Sequence, residues 1–449
     1  MLDNKKRVLL VNSSDIEGGA AKATLRIKRS IDSYSIQYKT RLLVDHTTSR
    51  LDGIDSRLNF SRLDGLMRLV QRKISSRISW YVQNLYGQQS TVAWPPSGLP
   101  SYLKRQYTKL DILHLHSLGN TLLSLSELPK LGKPIVWTLH DEWPTIGFQH
   151  YDINSLTACL PNILSCRSLT TRTSVPITQA SFWLRLLTQF QRRRAERFLS
   201  TVDLFICPSN WLASKLAINI ASFAPPTVVI PNPIDLDFWC PASKRKARAV
   251  LGLNQDTHLI LYVGTHLSDP RKGYELLRQA TYKLTSLLSA SPCDQNVALM
   301  VAGPSYSLDQ AQHGIKVVSL GSFSDDTRLR LAYSSCDVLC IPSVCDNLPN
   351  VALEAQACGV PIVCFNTGGL PEIVVNGETG LIVKDISPDL LAKSLYLVIR
   401  QPELLENMRI ASRASALRSW DPSIIAKKYE DAYNFALSSW HRKTFLDYA

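Results

Sequence analysis

Asp346 and Glu354 stand eight positions apart in the stretch from Cys336 to Pro371, CDVLCIPSVCDNLPNVALEAQACGVPIVCFNTGGLP. A carboxylate in a loop facing a crevice can accept hydrogen bonds from a sugar, and one on a helix can accept them from ribose hydroxyls. Between them Asn347, Leu348, Pro349 and Asn350 lie where backbone N–H groups near a helix N-terminus can hold phosphate oxygens. A hexose, two phosphates and a ribose fit that order of groups. The plainer alternative is an ordinary strand–helix unit with a solvated aspartate and a surface glutamate. A basic pair, Arg271-Lys272, follows the apolar run Leu259 to Gly264. Placed after the first strand of a nucleotide-binding domain, such a pair can neutralise a diphosphate, the arginine through its bidentate fork.

The elements that must position these groups can be read from the same residues. Val338-Leu339-Cys340-Ile341-Pro342 is a short apolar run that predicts a buried strand ending at the proline. Asn350 to Ala357 has helix-forming composition, Gly359 stops that helix, and Val360 to Phe365 predicts another buried strand before Thr367-Gly368-Gly369 turns away. Strand, loop, helix, strand is one parallel-sheet unit, and such sheets bind ligands beyond the carboxyl ends of their strands. Met300 to Pro304 and Val317 to Gly321 predict two further strands of the same domain.

The first half of the chain repeats the pattern. Arg7 to Val11 predicts a buried strand, and Gly18-Gly19 precede a helical segment, where a glycine pair lets the backbone approach a ligand or simply makes a tight turn. A G-x-G-x-x-G dinucleotide fingerprint is absent. Asp111 to His116 predicts a strand with His114 and His116 on one face, and Pro134 to His140 another. His114, His116, His140 and Asp141 could together be imagined as a metal site. Asp203 to Cys207 leads into a serine-capped helix at Ser209.

The order S-x-x-D-N-L-P-N-x-x-L-E-A-x-A-C-G-x-P-I-V, followed by T-G-G-L-P-E-I-V-x-N-G-E-T-G, resembles the retaining, nucleotide-sugar-dependent glycosyltransferases of the GT-B fold. The similarity is to the large fourth family, group 1, and within it to bacterial capsular and exopolysaccharide-assembly members. It covers most of the chain, strongly from about 200 to 385 and weakly before 110. The resemblance implies an α/β chain of two Rossmann-like parallel-sheet domains facing across a cleft. Residues 1–238 would be the acceptor-binding domain, 239–417 the nucleotide-sugar domain, and 418–449 a helix packing back on the first. Val228 to Asp235 resembles the family's interdomain segment.

Residue by residue, the resemblance places Asp346 where the family usually has glutamate. Lys272 matches the diphosphate-contacting lysine, and Arg271 flanks it. Some relatives have a further arginine beside the position of Thr265, so Arg271 would carry more of the load here. Gly18, Gly19, Gly264, Asn347, Leu348, Pro349, Asn350 and Glu354 would bind the donor. His140-Asp141-Glu142-Trp143 matches H-D-x-W, which puts His140 among the catalytic residues with Asp346, Lys272 and Arg271, and Asp141 and Trp143 against the acceptor. Relatives often carry a cysteine-rich loop afterwards; here Cys159 and Cys166 remain. No metal and no cofactor are implied, because the nucleotide sugar is a substrate.

A chain of 449 residues with 45% hydrophobic and 19% charged residues has the composition of a folded enzyme of two or three domains. The net charge of +13 suits anionic partners: nucleotide diphosphates, a lipid surface or nucleic acid. Nucleic acid is disfavoured, since basic residues and aromatics do not interleave in any recognisable module. Ten scattered cysteines without a CxxC pair read as free thiols in a reducing compartment. Neither a signal peptide nor a transmembrane run of roughly 18 apolar residues is found. In residues 62–82, Leu63, Met67, Val70, Ile74 and Ile78 recur at helical spacing among five basic residues, ahead of Trp80 and Tyr81. Such a helix either packs on the domain with its basic face solvated or lies on an anionic membrane. Phe182 to Leu199, rich in arginine, leaves the same two readings open. The expectation is a cytoplasmic enzyme, in contact with the inner face of the membrane on the second reading. It would transfer a hexose from a nucleotide sugar to a hydroxyl of a lipid-linked glycan. The alternative is a non-catalytic nucleotide-sugar or glycan-binding subunit of a polysaccharide assembly complex.

Overall fold

Apolar runs of four to nine residues with no polar alternation become strands buried on both faces, and such strands assemble in parallel. In a computed structural model of the chain this happens twice. The structure describes residues 5–15, 18–46, 52–56, 77, 109–118, 131–146, 151, 196, 198–220, 225–290, 296–303, 314–323 and 325–447. The chain divides into two units, 1–233 with 422–449, and 234–421. The sequence reading had placed these boundaries at 238/239 and 417/418.

The first unit contains β1 (Lys6–Ser14), α1 (Gly19–Tyr34), β2 (Tyr38–His46), β3 (Ile54–Ser56), β4 (Ile112–Leu115), β5 (Ile135–Thr138), α2 (Trp143–Ile146), β6 (Leu204–Cys207), α3 (Asn210–Asn219) and β7 (Thr227–Val229). Its sheet runs β3-β2-β1-β4-β5-β6-β7, with every pairing parallel. The order reverses at β1/β4, so chain ends from both halves of the sheet meet there. Leu9, Val11, Leu113, Leu115, Trp137 and Phe205 form a core on one face. Val8, Leu10, Ile112, Val136 and Ile206 point to the other, where Tyr429 and Tyr433 of the last helix, Pro422–Asp447, cover them. That helix is fastened by buried Glu430, whose Oε1 accepts from the Ser35 hydroxyl at 2.6 Å and from the Ile36 and Gln37 amides at 3.1 and 3.3 Å. The resemblance implied one helix over 418–449. Instead Trp420 ends the preceding helix and donates its indole N–H to Gln356 Oε1 at 2.6 Å, and Pro422, which lacks an N–H, begins the new one.

The second unit contains α4 (Lys244–Val250), β8 (His258–Val263), α5 (Tyr274–Ser289), β9 (Val297–Ala302), β10 (Lys316–Gly321), α6 (Asp326–Ser335), β11 (Val338–Ile341), α7 (Asn350–Ala357), β12 (Ile362–Phe365), α8 (Leu370–Ile373), β13 (Gly380–Val383), α9 (Pro388–Arg400) and α10 (Pro402–Ser419). The strands run β10-β9-β8-β11-β12-β13, again all parallel, with the reversal at β8/β11. The two strands whose loops carry Arg271-Lys272 and Asp346 are therefore neighbours. Among the described residues no helix is long and apolar enough to cross a membrane. Residues 62–82 lie outside the described residues apart from Arg77, as do Cys159, Cys166 and most of 182–199.

A buried charge cluster ties α4 to this sheet. Arg248, 2% exposed, donates from Nη2 to Asp337 Oδ2 at 3.0 Å and from Nε to the Ser335 carbonyl at 3.0 Å. Asp337 also accepts from the Leu259 amide at 2.7 Å and pairs with Lys244. Removing one partner of such a cluster strands the other charge. Asp337→Ala should therefore cost the second unit about 3–5 kcal/mol. Chemical denaturation should show that unit's transition moving to lower denaturant while the first unit's stays in place.

Candidate active site

In the second unit the chemistry gathers where the order reverses. After β8 the chain makes a single 3₁₀ turn, Pro270–Lys272, capped by Asp269, whose carboxylate accepts from the Arg271 amide at 2.9 Å and holds its guanidinium at 3.2 Å. After β11 the loop brings Asp346 against this turn. Lys272 Nζ donates to Asp346 Oδ2, and Arg271 Nη1 lies 3.8 Å from Oδ1. The loops are also joined through backbone: Val344 N–H donates to the Arg271 carbonyl at 2.9 Å, and Arg271 Nη1 to the Cys345 carbonyl at 3.4 Å.

Asp346 is 7% exposed and Glu354 2%, so neither is the solvated carboxylate of the plainer alternative. Burial alone would push the Asp346 carboxyl up; Lys272 and Arg271, with the Asn347 amide, outweigh it and hold the group below its ordinary value. Glu354 sits within α7, and one of its carboxylate oxygens accepts from the Tyr333 hydroxyl at 3.0 Å. Asn347 and Leu348 are buried, and Pro349 caps α7 ahead of Asn350.

Two glycines fix the loop from either side. Gly273 has φ of 68°, and a Cβ there would stand 1.8 Å from the Pro342 carbonyl oxygen. Gly368 has φ of 59°, and its Cβ would stand 1.9 Å from the Asp346 carbonyl oxygen. Both positions need the left-handed conformation and the missing side chain. The adjoining Gly369 N–H donates to that Asp346 carbonyl at 3.0 Å, and Thr367 Oγ1 to the Ser343 carbonyl at 2.7 Å.

In the first unit the corresponding reversal collects the other sequence-predicted residues. Gly18, at φ 88°, precedes α1, which begins at Gly19. Beside it the ends of β1 and β4 are stitched together: Ser13 N–H donates to the Ser117 carbonyl at 2.7 Å, and Ser117 N–H to Asn12 Oδ1 at 3.0 Å. His114 and His116 do lie on one face, with ring centroids 4.2 Å apart. His116 Nδ1 shares a hydrogen bond with His140 Nε2 at 3.1 Å. His114 bonds Tyr433 Oη through Nδ1 and Thr138 Oγ1 through Nε2, each at 2.8 Å. Burial holds His114 down to about 3 and His140 to about 4, the latter despite the nearby Asp141 carboxylate. Asp141 accepts from the Trp143 amide at 3.0 Å and so starts α2. Among the described residues no group of three or more His, Cys, Asp and Glu side chains is placed to hold a metal ion.

Residues 243–415 match the family model for glycosyl transferases group 1, and residues 70–238 that for glycosyltransferase family 4. The fold is similar over 97% of the chain to sucrose-phosphate synthase from Thermosynechococcus elongatus, all of which is covered (TM-score 0.63, 18% identity). It is similar over 96% of the chain, and 99% of the other, to Anabaena HepE in complex with UDP (TM-score 0.59, 16% identity). The two glycosyltransferase models match successive stretches of the chain, and its fold is the GT-B fold of these structures. Its sequence is also similar to two enzymes named D-inositol 3-phosphate glycosyltransferase. The one from Segniliparus rotundus is 30% identical over 43% of this chain, and the one from Streptosporangium roseum 30% over 55%. Those matches take in 44% and 58% of the relatives, so the chain spans about half the length of the curated relatives it matches.

The predicted residues thus fall into two groups. Arg271, Lys272 and Asp346 are in direct contact, with Asn347, Leu348, Pro349, Asn350 and Glu354 following along the same segment. Gly264 follows β8, where an added Cβ would meet the Tyr262 hydroxyl at 2.7 Å. Gly18, Gly19, His140, Asp141 and Trp143 belong to the other unit. Sequence reasoning missed Asp269, Tyr333, Thr138 and Tyr433. Asp269 had a signal, since aspartate before proline is a common cap; the other three come from distant elements and had none.

The ion pair has a pH signature. A carboxyl held low when folded contributes stability that is present above its unfolded value and lost as pH falls through the folded one. Asp346→Asn should therefore be less stable than wild type near neutrality. The gap should begin to close as pH falls past the unfolded value of about 4 and disappear only once pH has passed below the lower folded value. Urea midpoints at several pH values check this; a gap constant with pH would remove the pairing's electrostatic share.

Proposed function

We propose that the chain is a retaining hexosyltransferase: it moves a hexose from a nucleotide sugar to a hydroxyl of a lipid-linked glycan in cell-surface polysaccharide synthesis, at the inner face of the membrane. The observation that carries the donor half is Asp346, buried yet held ionised against Lys272 and Arg271 at the sheet's reversal. Both cations are already positioned before a donor arrives. An ammonium has three donors and a guanidinium five, so each can serve a diphosphate while keeping its carboxylate. Asp346 orients the sugar hydroxyls, Glu354 holds the ribose, and the amides at the start of α7 meet a phosphate.

In the reaction the bond between the anomeric carbon and the leaving phosphate oxygen breaks, and the acceptor oxygen bonds to the same face of that carbon. The acceptor's proton passes to the departing phosphate oxygen. Charge developing on the leaving group is met by Arg271, Lys272 and the α7 amides, so transfer proceeds without a divalent cation. His140, Asp141 and Trp143 meet the sugar and the acceptor. The partial similarity to enzymes named for D-inositol 3-phosphate makes a phosphorylated polyol the competing acceptor.

A mass-spectrometric screen of nucleotide sugars with both acceptor classes tests the reading. One donor should be consumed with release of its diphosphate, chelator should leave the rate intact, and the product should keep the donor's anomeric configuration. A nucleotide sugar that binds but is never turned over would favour the non-catalytic subunit. Lys272→Ala and Glu354→Ala should each weaken binding of the matching nucleoside diphosphate by about 1.5–3 kcal/mol, the range for hydrogen bonds to charged groups. Calorimetry giving unchanged affinity for both variants would remove the assignment.

A further inference from the structure

Three imidazoles from the ends of β4 and β5 are stacked in the first unit, and one has an unexplained chemistry. His114 is satisfied at both nitrogens by Tyr433 and Thr138. His116 is 2% exposed, and its Nε2 is buried with no hydrogen-bond partner. Its backbone carbonyl accepts from the Trp137 indole at 2.9 Å, which any residue could provide. A leucine or phenylalanine would fill the space without burying an orphaned nitrogen. What the imidazole adds is the 3.1 Å hydrogen bond from Nδ1 to His140 Nε2.

A neutral imidazole carries one N–H and one lone pair. Burial, with the neighbouring rings, holds His116 well below its ordinary value, and His140 is also lowered, so both are neutral near pH 7. The shared bond then has two arrangements. If His140 donates from Nε2, His116 accepts at Nδ1 and its own proton sits on Nε2, a buried N–H facing no acceptor. If His116 donates from Nδ1, the orphan is only a lone pair. Buried donors left without acceptors are the rarer defect, which selects the second arrangement. His140 then accepts at Nε2 and carries its proton on Nδ1.

We propose that His116 is a positioning residue that fixes His140 as the Nδ1–H tautomer and sets its ring plane, so that His140 meets the sugar or acceptor as a neutral, oriented imidazole. This rests on the transferase reading, in which His140 lies by the bound sugar. His114 braces the pair: its ring lies 4.2 Å from that of His116, and both of its nitrogens are anchored. His116 and His140 are stacked at 26° between planes, so reorienting one ring requires moving the other.

Nitrogen-15 spectra of histidine-labelled protein at neutral pH, with His140 assigned through His140→Gln, read the tautomer directly. Protonated Nδ1 with unprotonated Nε2 is expected on both His116 and His140; a protonated Nε2 on His140 overturns the proposal. Kinetics on a turned-over donor give a second readout. His116→Leu should lower kcat by about 10- to 100-fold, the scale known for groups that orient metal-ligating histidines, with donor KM changed by less than about threefold. His116→Asn, whose amide can donate from nearly the Nδ1 position, should recover most of that loss. No loss in the leucine variant, or equal loss in both, overturns the positioning role. If the leucine variant does not fold, the asparagine variant's His140 spectrum decides, since Nδ1 should stay protonated. A wild type that turns over no nucleotide sugar defeats the transferase reading alone, while the spectra still settle the tautomer.

Discussion

The contact on which the second unit's site depends is the pairing of a buried carboxylate with cations from another loop. Asp346 is almost wholly removed from water, and a lone carboxylate there would protonate rather than stay charged. Lys272 and Arg271 keep it ionised, and they can do so because β8 and β11 are adjacent. The strand order, which reverses between those two, is therefore part of the electrostatics. Asp269 completes the arrangement by holding the Arg271 guanidinium from the opposite side. Four charges of alternating sign are thereby kept in fixed places by two short loops, and backbone bonds between the loops prevent either from moving alone.

Backbone shape sets the same geometry independently. Gly273 passes under the carbonyl of Pro342 and Gly368 under that of Asp346, each closer than any side chain permits. The Asp346 loop thus has no slack at its start or at the position of its carboxylate. Rigidity of this kind lets a pair of opposite charges retain an exact spacing without the entropy loss of ordering long side chains on binding.

Much of this was legible in the sequence. The strands β8, β11 and β12, helix α7 and its glycine stop appear within a residue or two of their predicted places, because each is a short run of one composition bounded by proline, glycine or a polar loop. The pairing of His114 with His116 followed from strand alternation alone. What could not be read was long-range. Tyr333 reaching Glu354 and Tyr433 reaching His114 join elements that share no local pattern. The helix implied over 418–449 starts at Pro422 instead, because the proline and the Trp420 contact with Gln356 decide the break. The basic pair was read as neutralising a diphosphate; in the fold each cation also has its own carboxylate, which the sequence did not show.

The two units solve the problem of buried polar groups in opposite ways. The second keeps full charges and neutralises them in pairs; the first packs three imidazoles together, two of them buried, and keeps them uncharged. On the transferase reading both choices fit the groups to be met. A diphosphate is anionic and leaves with more charge than it brought, so fixed cations gain strength as the bond breaks. A sugar or acceptor hydroxyl is neutral, and a cationic histidine beside it would be repelled by the developing positive charge at the anomeric carbon. An imidazole that burial prevents from charging avoids that repulsion and still directs a hydrogen bond. Neutrality in one unit and paired charge in the other are thus the same requirement, that each group already has the charge state its step demands.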